Sequence, residues 1–203
     1  MTEWHFYEPA NGHGLPHDPF NAIVAPRPIG WISTVSADGA VNLAPYSFFN
    51  ALNYHPPLIG FSSVGRKDSL TNTEATGEFV WNLATRYLAE AMNATSAMVD
   101  TEVDEFALGD IAHAPSRLVT PPRVAASPVA FECKVTQIVR LITKEGDQTD
   151  TWFVVGEVIG VHIDTAMLDD GVYQTARARP IMRGGGPADY FEVGERFGMR
   201  RPG

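Results

Sequence analysis

Apolar and polar residues alternate with a period of two along much of this chain, the pattern of strands with one buried face. Ile29–Ser36 (IGWISTVS) reads as a strand, Ala37–Ala40 as a hairpin turn centred on Asp38-Gly39, and Val41–Asn50 as the return strand. Asn53–Pro57 reads as a second turn, because Pro56 and Pro57 have no N–H to give to a ladder. Leu58–Val64 is a third strand, so this region predicts a three-strand meander. Glu78–Ala84 predicts another strand. Val129–Thr143 alternates over a longer span, with Val129, Phe131, Cys133 and Val135 on one face and Glu132 and Lys134 on the other. After a turn at Glu145–Gln148, Thr151–Asp164 is its antiparallel partner. Gly156 and Gly160 inside that partner predict bulges or barrel bends rather than a flat sheet.

The helical pattern is short by comparison. Leu70–Thr76 predicts about two turns of helix, with Asp68 or Ser69 as N-cap, a capping box at Thr71-x-x-Glu74, and Gly77 as terminator. Leu88, Ala91, Met92 and Thr95 form a one-sided stripe, which predicts a helix over Arg86–Ala97 capped by Thr85. Asp100–Ile111 predicts a further short helix beginning at Thr101-x-x-Asp104. Ala166–Ala178 carries a weak signal, with a helical turn around Leu168. Residues 1–20 read as an irregular arm whose Trp4, Phe6, Tyr7 and Phe20 call for burial, a partner subunit being one candidate cover. Three consecutive glycines, Gly184–Gly186, imply backbone held close to a ligand or to another chain. The expected architecture is mainly antiparallel β, closed into a small barrel to remove strand edges, with one helical excursion. It forms one domain over residues 21–192, between the arm 1–20 and a tail 193–203.

Composition narrows the function. The chain has 203 residues, 44% hydrophobic and 19% charged, which supports a sizeable core and argues against disorder. A net charge of −9 opposes nucleic acid and anionic membrane, so an anionic ligand needs a local basic patch. Cys133 is the only cysteine, which excludes an intramolecular disulfide and a zinc site of several thiolates. The first residues lack the pattern of a signal peptide and no apolar run is long enough to span a bilayer, so a soluble, cytoplasmic protein is expected. His13 and His17 have i, i+4 spacing, but Gly14 and Pro16 break any helix between them, so no metal site is expected. There is no G-x-S-x-G, H-E-x-x-H, P-loop or G-x-G-x-x-G motif. Asp100, Glu102, Asp104 and Glu105 read as a solvated helix face, and Cys133 as a buried small hydrophobe.

Two stretches carry candidate chemistry. Ser62-Ser63-Val64-Gly65-Arg66-Lys67-Asp68-Ser69 combines hydroxyls, two adjacent cations and a helix start, the three features that suit a phosphate monoester. A solvated turn with an N-cap explains the same residues. Asn42–Asn50 (NLAPYSFFN) offers Ser47 and Asn50 as hydrogen-bonding groups and Tyr46, Phe48 and Phe49 as flat apolar surface. Core aromatics of an ordinary barrel strand are the competing explanation.

The order of several motifs resembles the flavin reductase-like family of FMN-binding split barrels. They are Arg27–Thr34 (RPIGWIST), Asn42–Asn50, Ser62-Ser63 with Arg66–Ser69, Gly77–Asn82 (GEFVWN), Ser127–Cys133 (SPVAFEC) and Gly156-Glu157-Val158. The resemblance spans roughly residues 20–192 and implies an antiparallel split barrel, a homodimer, and one FMN per subunit near the dimer interface. On this resemblance Arg66, Lys67, Asp68 and Ser69 hold the phosphate, and Ser62 and Ser63 meet the phosphate or ribityl chain. Pro45, Tyr46 and Ser47 line the flavin, Asn50 and Asn82 are polar anchors near it, and Ser33 and Thr34 lie beside the ring. The Gly184–Gly186 run resembles the family's glycine pair near the C-terminus, here a triple. The implied activity is hydride transfer from NAD(P)H to flavin, with reduced flavin passed to a partner oxygenase or used as bound FMN. No catalytic side chain is required, because the flavin is the hydride acceptor. A non-catalytic FMN-binding or electron-transfer protein is the alternative. An oxidase of the pyridoxamine-phosphate type is a third option, without a separate arginine-rich substrate motif to support it.

Overall fold

The computed structural model describes residues 2–101 and 103–203, so Glu102 of the acidic run lies outside the described residues. Seven strands form one antiparallel sheet: β1 (Gly30–Val35), β2 (Val41–Tyr46), β3 (Phe49–Asn53), β4 (Leu58–Val64), β5 (Glu78–Asn82), β6 (Val129–Ile142) and β7 (Gln148–Ile163). Their spatial order is β2-β1-β5-β6-β7-β4-β3. The two edges, β2 and β3, are consecutive in the chain and joined only through Ser47 and Phe48. The sheet therefore curls until its edges meet at this corner, the split-barrel form expected from the pattern. Register shifts fall at Val155/Gly156 and Val158/Gly160, where bend glycines were expected.

The expected single strand Val41–Asn50 is thus corrected to two strands on opposite edges, and the meander to two separate hairpins. Pro45 makes the difference physical. It lies on an edge strand opposite Trp31 of β1, so its missing N–H leaves no buried ladder position unpaired.

Strand β1 is buried on both faces. Ile32 joins one cluster with Tyr46, Phe61, Leu70, Phe79 and Cys133 inside the curl. Trp31 joins a second with Leu43, Met92, Phe106, Val124 and Ile181 under the helical excursion. Its indole N–H donates to Thr95 Oγ1 at 3.0 Å. Gly156 is required where it stands, because a Cβ there would lie 2.3 Å from the Phe79 ring.

The helices differ from expectation mainly at their starts. Helix α1 (Asp68–Thr76) begins two residues before the predicted Leu70, and Lys67 occupies the N-cap without a side-chain cap. Neither Asp68 nor Ser69 caps it, since Asp68 accepts from Thr101 Oγ1 and Ser69 Oγ accepts from Asn42 Nδ2. Glu74 pairs with Arg66 rather than closing a capping box. Gly77 ends the helix in the left-handed region, as expected. The predicted Arg86–Ala97 helix resolves into a 3-10 turn, Arg86–Leu88, and α2 (Ala89–Ala94). Helix α3 (Glu105–Leu108) is capped by Asp104, whose Oδ1 accepts from Phe106 N at 2.9 Å. Glu105 is not solvated. It is buried, accepts from Leu43 N, and is pushed above the usual carboxylate range by that burial. Residues 166–178 hold a 3-10 turn (Thr165–Met167) and a short hairpin instead of a longer helix. No helix among the described residues is long and apolar enough to cross a membrane.

A small sheet ties the two ends of the chain together: Ile181–Arg183 pairs with both Arg27–Pro28 and Tyr190–Glu192. The glycine run packs against the chain's own N-terminal turn, for a Cβ on Gly185 would stand 2.1 Å from Ala22 Cα. Arg27 fastens this junction, donating to the carbonyls of Asn21, Val24 and Gly184. Trp4 and Phe6 of the arm remain 84% exposed.

Candidate cofactor site

The corner between the sheet edges carries the densest cluster of predicted site residues. Ser47 there lines two clefts at once. One, of about 810 Å³, lies between Pro45, Ser47, the α2 segment and the C-terminal stretch Arg183–Glu192. The other, of about 480 Å³, lies between Ile23–Pro28, the corner and β4, and takes in Asn50 and Ser62. The structure thus brings Pro45, Ser47, Asn50 and Ser62 to one region, from strands that only the curl makes adjacent.

Two buried polar atoms in the described residues have no hydrogen-bond partner, Arg27 Nε and Tyr46 Oη. Arg27 lines the second cleft, whereas Tyr46 lines neither and packs in the core cluster inside the curl. Tyr46 stands between Pro45 and Ser47, with its phenol against the hydroxyls of Ser69 and Ser63 but without an aligned bond to either. Burial raises its pKa above the ordinary tyrosine value despite those hydroxyls, so the phenol stays protonated and can donate. Arg27 is 8% exposed, lines the second cleft, and has its guanidinium 5.7 Å from the Phe48 ring centre. Burial and the neighbouring Arg183 lower it from the ordinary arginine value. No carboxylate pairs with it among the described residues. Arg27 was read only as part of a motif; its role at the site was not legible, because its burial depends on carbonyls far along the chain.

The basic loop lies at the start of α1. Arg66 is partly committed, paired with Glu74 and 5.4 Å from the Trp152 ring centre. Lys67 is exposed and forms no ion pair among the described residues. The first N–H groups of α1 have no intrahelical acceptor. Ser63 and Ser69 are buried, Ser63 Oγ donating to Gly65 O at 2.9 Å.

Three predicted residues stand elsewhere. Ser33, Thr34 and Asn82 have no accessible surface. Ser33 Oγ donates to Pro122 O, and Thr34 Oγ1 accepts from Asn42 and Asn72. Asn82 Oδ1 accepts from Val124 N at 2.8 Å. They brace the strands behind the site rather than lining a ring, since a side chain without surface meets no ligand unless its cover moves. Their polarity drew attention in the sequence; only packing reveals that it is satisfied internally.

The donor chemistry at the corner fits a flat, acceptor-rich, phosphate-bearing group. Arg27 Nε there is an orphaned donor, and Phe49, which lines the same cleft, stacks on Trp81 with ring centres 5.7 Å apart; the cation Lys67, at the start of α1, lines neither cleft.

An antiparallel sheet curled until its edges meet defines a split barrel. The chain belongs to the flavin reductase like domain family, whose model matches residues 24–182, and its function is flavin-related redox chemistry. It is 36% identical over 185 residues to the uncharacterised protein BH2278 of Halalkalibacterium halodurans, covering 88% of this chain and 87% of that protein. Nitrilotriacetate monooxygenase component B from Bacillus cereus superposes with a TM-score of 0.87 at 26% identity, over 98% of this chain and all of that one. The 2-nitrobenzoate 2-nitroreductase NbaA of Pseudomonas fluorescens superposes with a TM-score of 0.79 at 28% identity, over 90% and 88%.

Proposed function

We propose that the protein is an FMN-binding flavin reductase that takes hydride from NAD(P)H. The observation that carries this reading is Arg27, a buried cation with an orphaned Nε and no carboxylate partner among the described residues, lining the corner cleft of a flavin reductase-like fold. FMN, when bound, supplies the hydride-accepting chemistry. Lys67 and the first N–H groups of α1 hold its phosphate by charge and helix polarity, with Arg66, Asp68 and Ser69 shaping that end of the site. Ser62 stands at the phosphate and ribityl end, with Ser63 buried behind it. Pro45, Tyr46, Ser47 and Asn50 bound the space for the ring. Arg27 brings a buried positive charge to the same region, which favours an anionic, reduced ligand there. The walls from α2 and Arg183–Glu192 limit the water that reaches it and leave one side of the larger cleft for a nicotinamide.

The protein acts as a homodimer in this reading. Exposed Leu52 and Tyr54 at the open β3 edge, and Val139 and Ile142 near the β6–β7 tip, supply apolar surface for a second copy. The likeness to an oxygenase component supports an oxygenase as the user of the reduced flavin.

The test is a visible spectrum of the purified protein with added FMN, followed by NADH and NADPH without oxygen. Bound yellow flavin bleached by either coenzyme is expected. Failure to take up FMN refutes the cofactor, and a yellow protein inert to both coenzymes replaces the reductase by a flavin-holding electron-transfer protein.

A further inference from the structure

A third cleft, of about 820 Å³, shares no lining residue with the two at the Ser47 corner. Its walls are the loop from Arg117 to Pro128 and the end of β7, and they include Arg117, Arg123, Glu132, His162 and Asp164. We propose that this cleft binds a small oxyanion, a phosphate or carboxylate group, between Arg117 and Arg123.

The two guanidinium groups are the first argument. Seven ion pairs occur among the described residues, and neither arginine takes part in any of them. Arg123 makes one side-chain bond, Nε to Pro115 O at 3.2 Å. Two arginines without an ion-pair partner among the described residues thus line one cleft, alongside the carboxylates of Glu132 and Asp164.

The second argument is that both cations stand on braced backbone. Glu132, with no accessible surface, accepts from the backbone N–H of Arg117 at 2.8 Å, Leu118 at 2.6 Å and Val119 at 3.1 Å. Its remaining valence takes His162 Nε2 from the neighbouring strand. Burial pushes the Glu132 carboxyl up, but the bonds from His162, Arg117 and Leu118 outweigh it and hold the group below the usual carboxylate range. Arg123 follows in a short ladder, His113–Ala114 against Arg123–Val124. A Cβ on Gly160 would stand 3.2 Å from Leu118 and 3.3 Å from Glu132, so the glycine admits the braced loop against β7.

The two carboxylates of the cleft keep their charge but accept from other donors. Both Glu132 oxygens are used, and Asp164 Oδ1 accepts from Ala166 N at 2.9 Å. Planar guanidinium groups match the oxygens of a phosphate or carboxylate. The volume lies within the range of metabolite sites.

The test is calorimetric titration of inorganic phosphate and, separately, succinate into the full chain, at ionic strength held constant with sodium chloride. The titrations are run with saturating FMN, which fills the phosphate position of the basic loop in the proposed reading, so that any remaining anion binding reports this cleft. The double variant Arg117→Ala/Arg123→Ala is expected to bind at least about tenfold more weakly. Arg117→Lys/Arg123→Lys retains charge and is expected to keep part of the affinity, with circular dichroism confirming that both variants fold. Binding of phosphate alone assigns a phosphoryl ligand, and of succinate alone a carboxylate. No binding of either anion, or equal binding by wild type and the alanine double variant, overturns the proposal.

Discussion

Replacing Glu132 by Gln probes the most consequential polar group that packing hides. The carboxylate has no accessible surface and serves four donors: Oε1 takes Arg117 N and His162 Nε2, and Oε2 takes Leu118 N and Val119 N. The amide keeps one acceptor oxygen and turns an N–H₂ group toward two donors. Two charge-assisted bonds are therefore lost, each worth about 1.5 kcal/mol or more, so about 3 kcal/mol of stability is expected to go. For a domain of this size that corresponds to a fall of about 6–12 °C in melting temperature. The pH dependence has a definite sign. The folded carboxyl lies below its unfolded value, so its contribution is complete above the unfolded carboxylate range, near about 4.3, and is lost as pH falls through the lower folded value. The gap between wild type and Glu132→Gln should be constant from neutral to alkaline pH and close in acid. Thermal melts monitored by circular dichroism at several pH values measure it, with the exposed Glu145→Gln as a control. A Glu132→Gln melting temperature within about 2 °C of wild type at neutral pH would falsify the clamp.

Three further outcomes are expected. Lys67→Ala should weaken FMN at least about tenfold while leaving riboflavin nearly unchanged, read by flavin fluorescence titration; equal losses for both remove Lys67 from the phosphate role. Gly156→Ala drives a methyl into the Phe79 ring and should cost about 2–3 kcal/mol in urea unfolding, whereas an unchanged midpoint contradicts that contact. Tyr46→Phe deletes a phenol with no aligned partner, so ligand-free stability should hold or rise within about 1 kcal/mol; a larger loss means that the phenol is bonded after all.

Local pattern accounts for much of the fold. The period of two located β1, β4, β5, β6 and β7 to within one to three residues, because half-buried strands write their burial into alternate positions. Gly77, Gly156 and Gly160 were legible for a similar reason, since a left-handed cap or a bulge demands the missing side chain. The break at Ser47-Phe48 was not. A strand that crosses from one sheet edge to the other looks locally like a strand that continues, and Pro45 alone did not distinguish the two.

The sequence by itself determined a β-rich domain, the residues carrying polar chemistry near one corner, and the family to which their order points. It also placed the unpaired Lys67 at a helix start. Only the tertiary structure decided which polar side chains remain available. Ser33, Thr34 and Asn82 resemble Ser47, Asn50 and Ser62 in residue type, yet the first three spend their groups on Pro122, Asn42, Asn72, Trp31 and Val124. Alternation put Glu132 on the face opposite Phe131 and Cys133, but only the register shift near Gly160 and the returning 117–119 loop show that it is enclosed there. Arg27 gained its place at the site from carbonyls both near it and 157 residues away. Burial and hydrogen-bond satisfaction are sums over neighbours brought together by the whole fold, so no local window of sequence contains them.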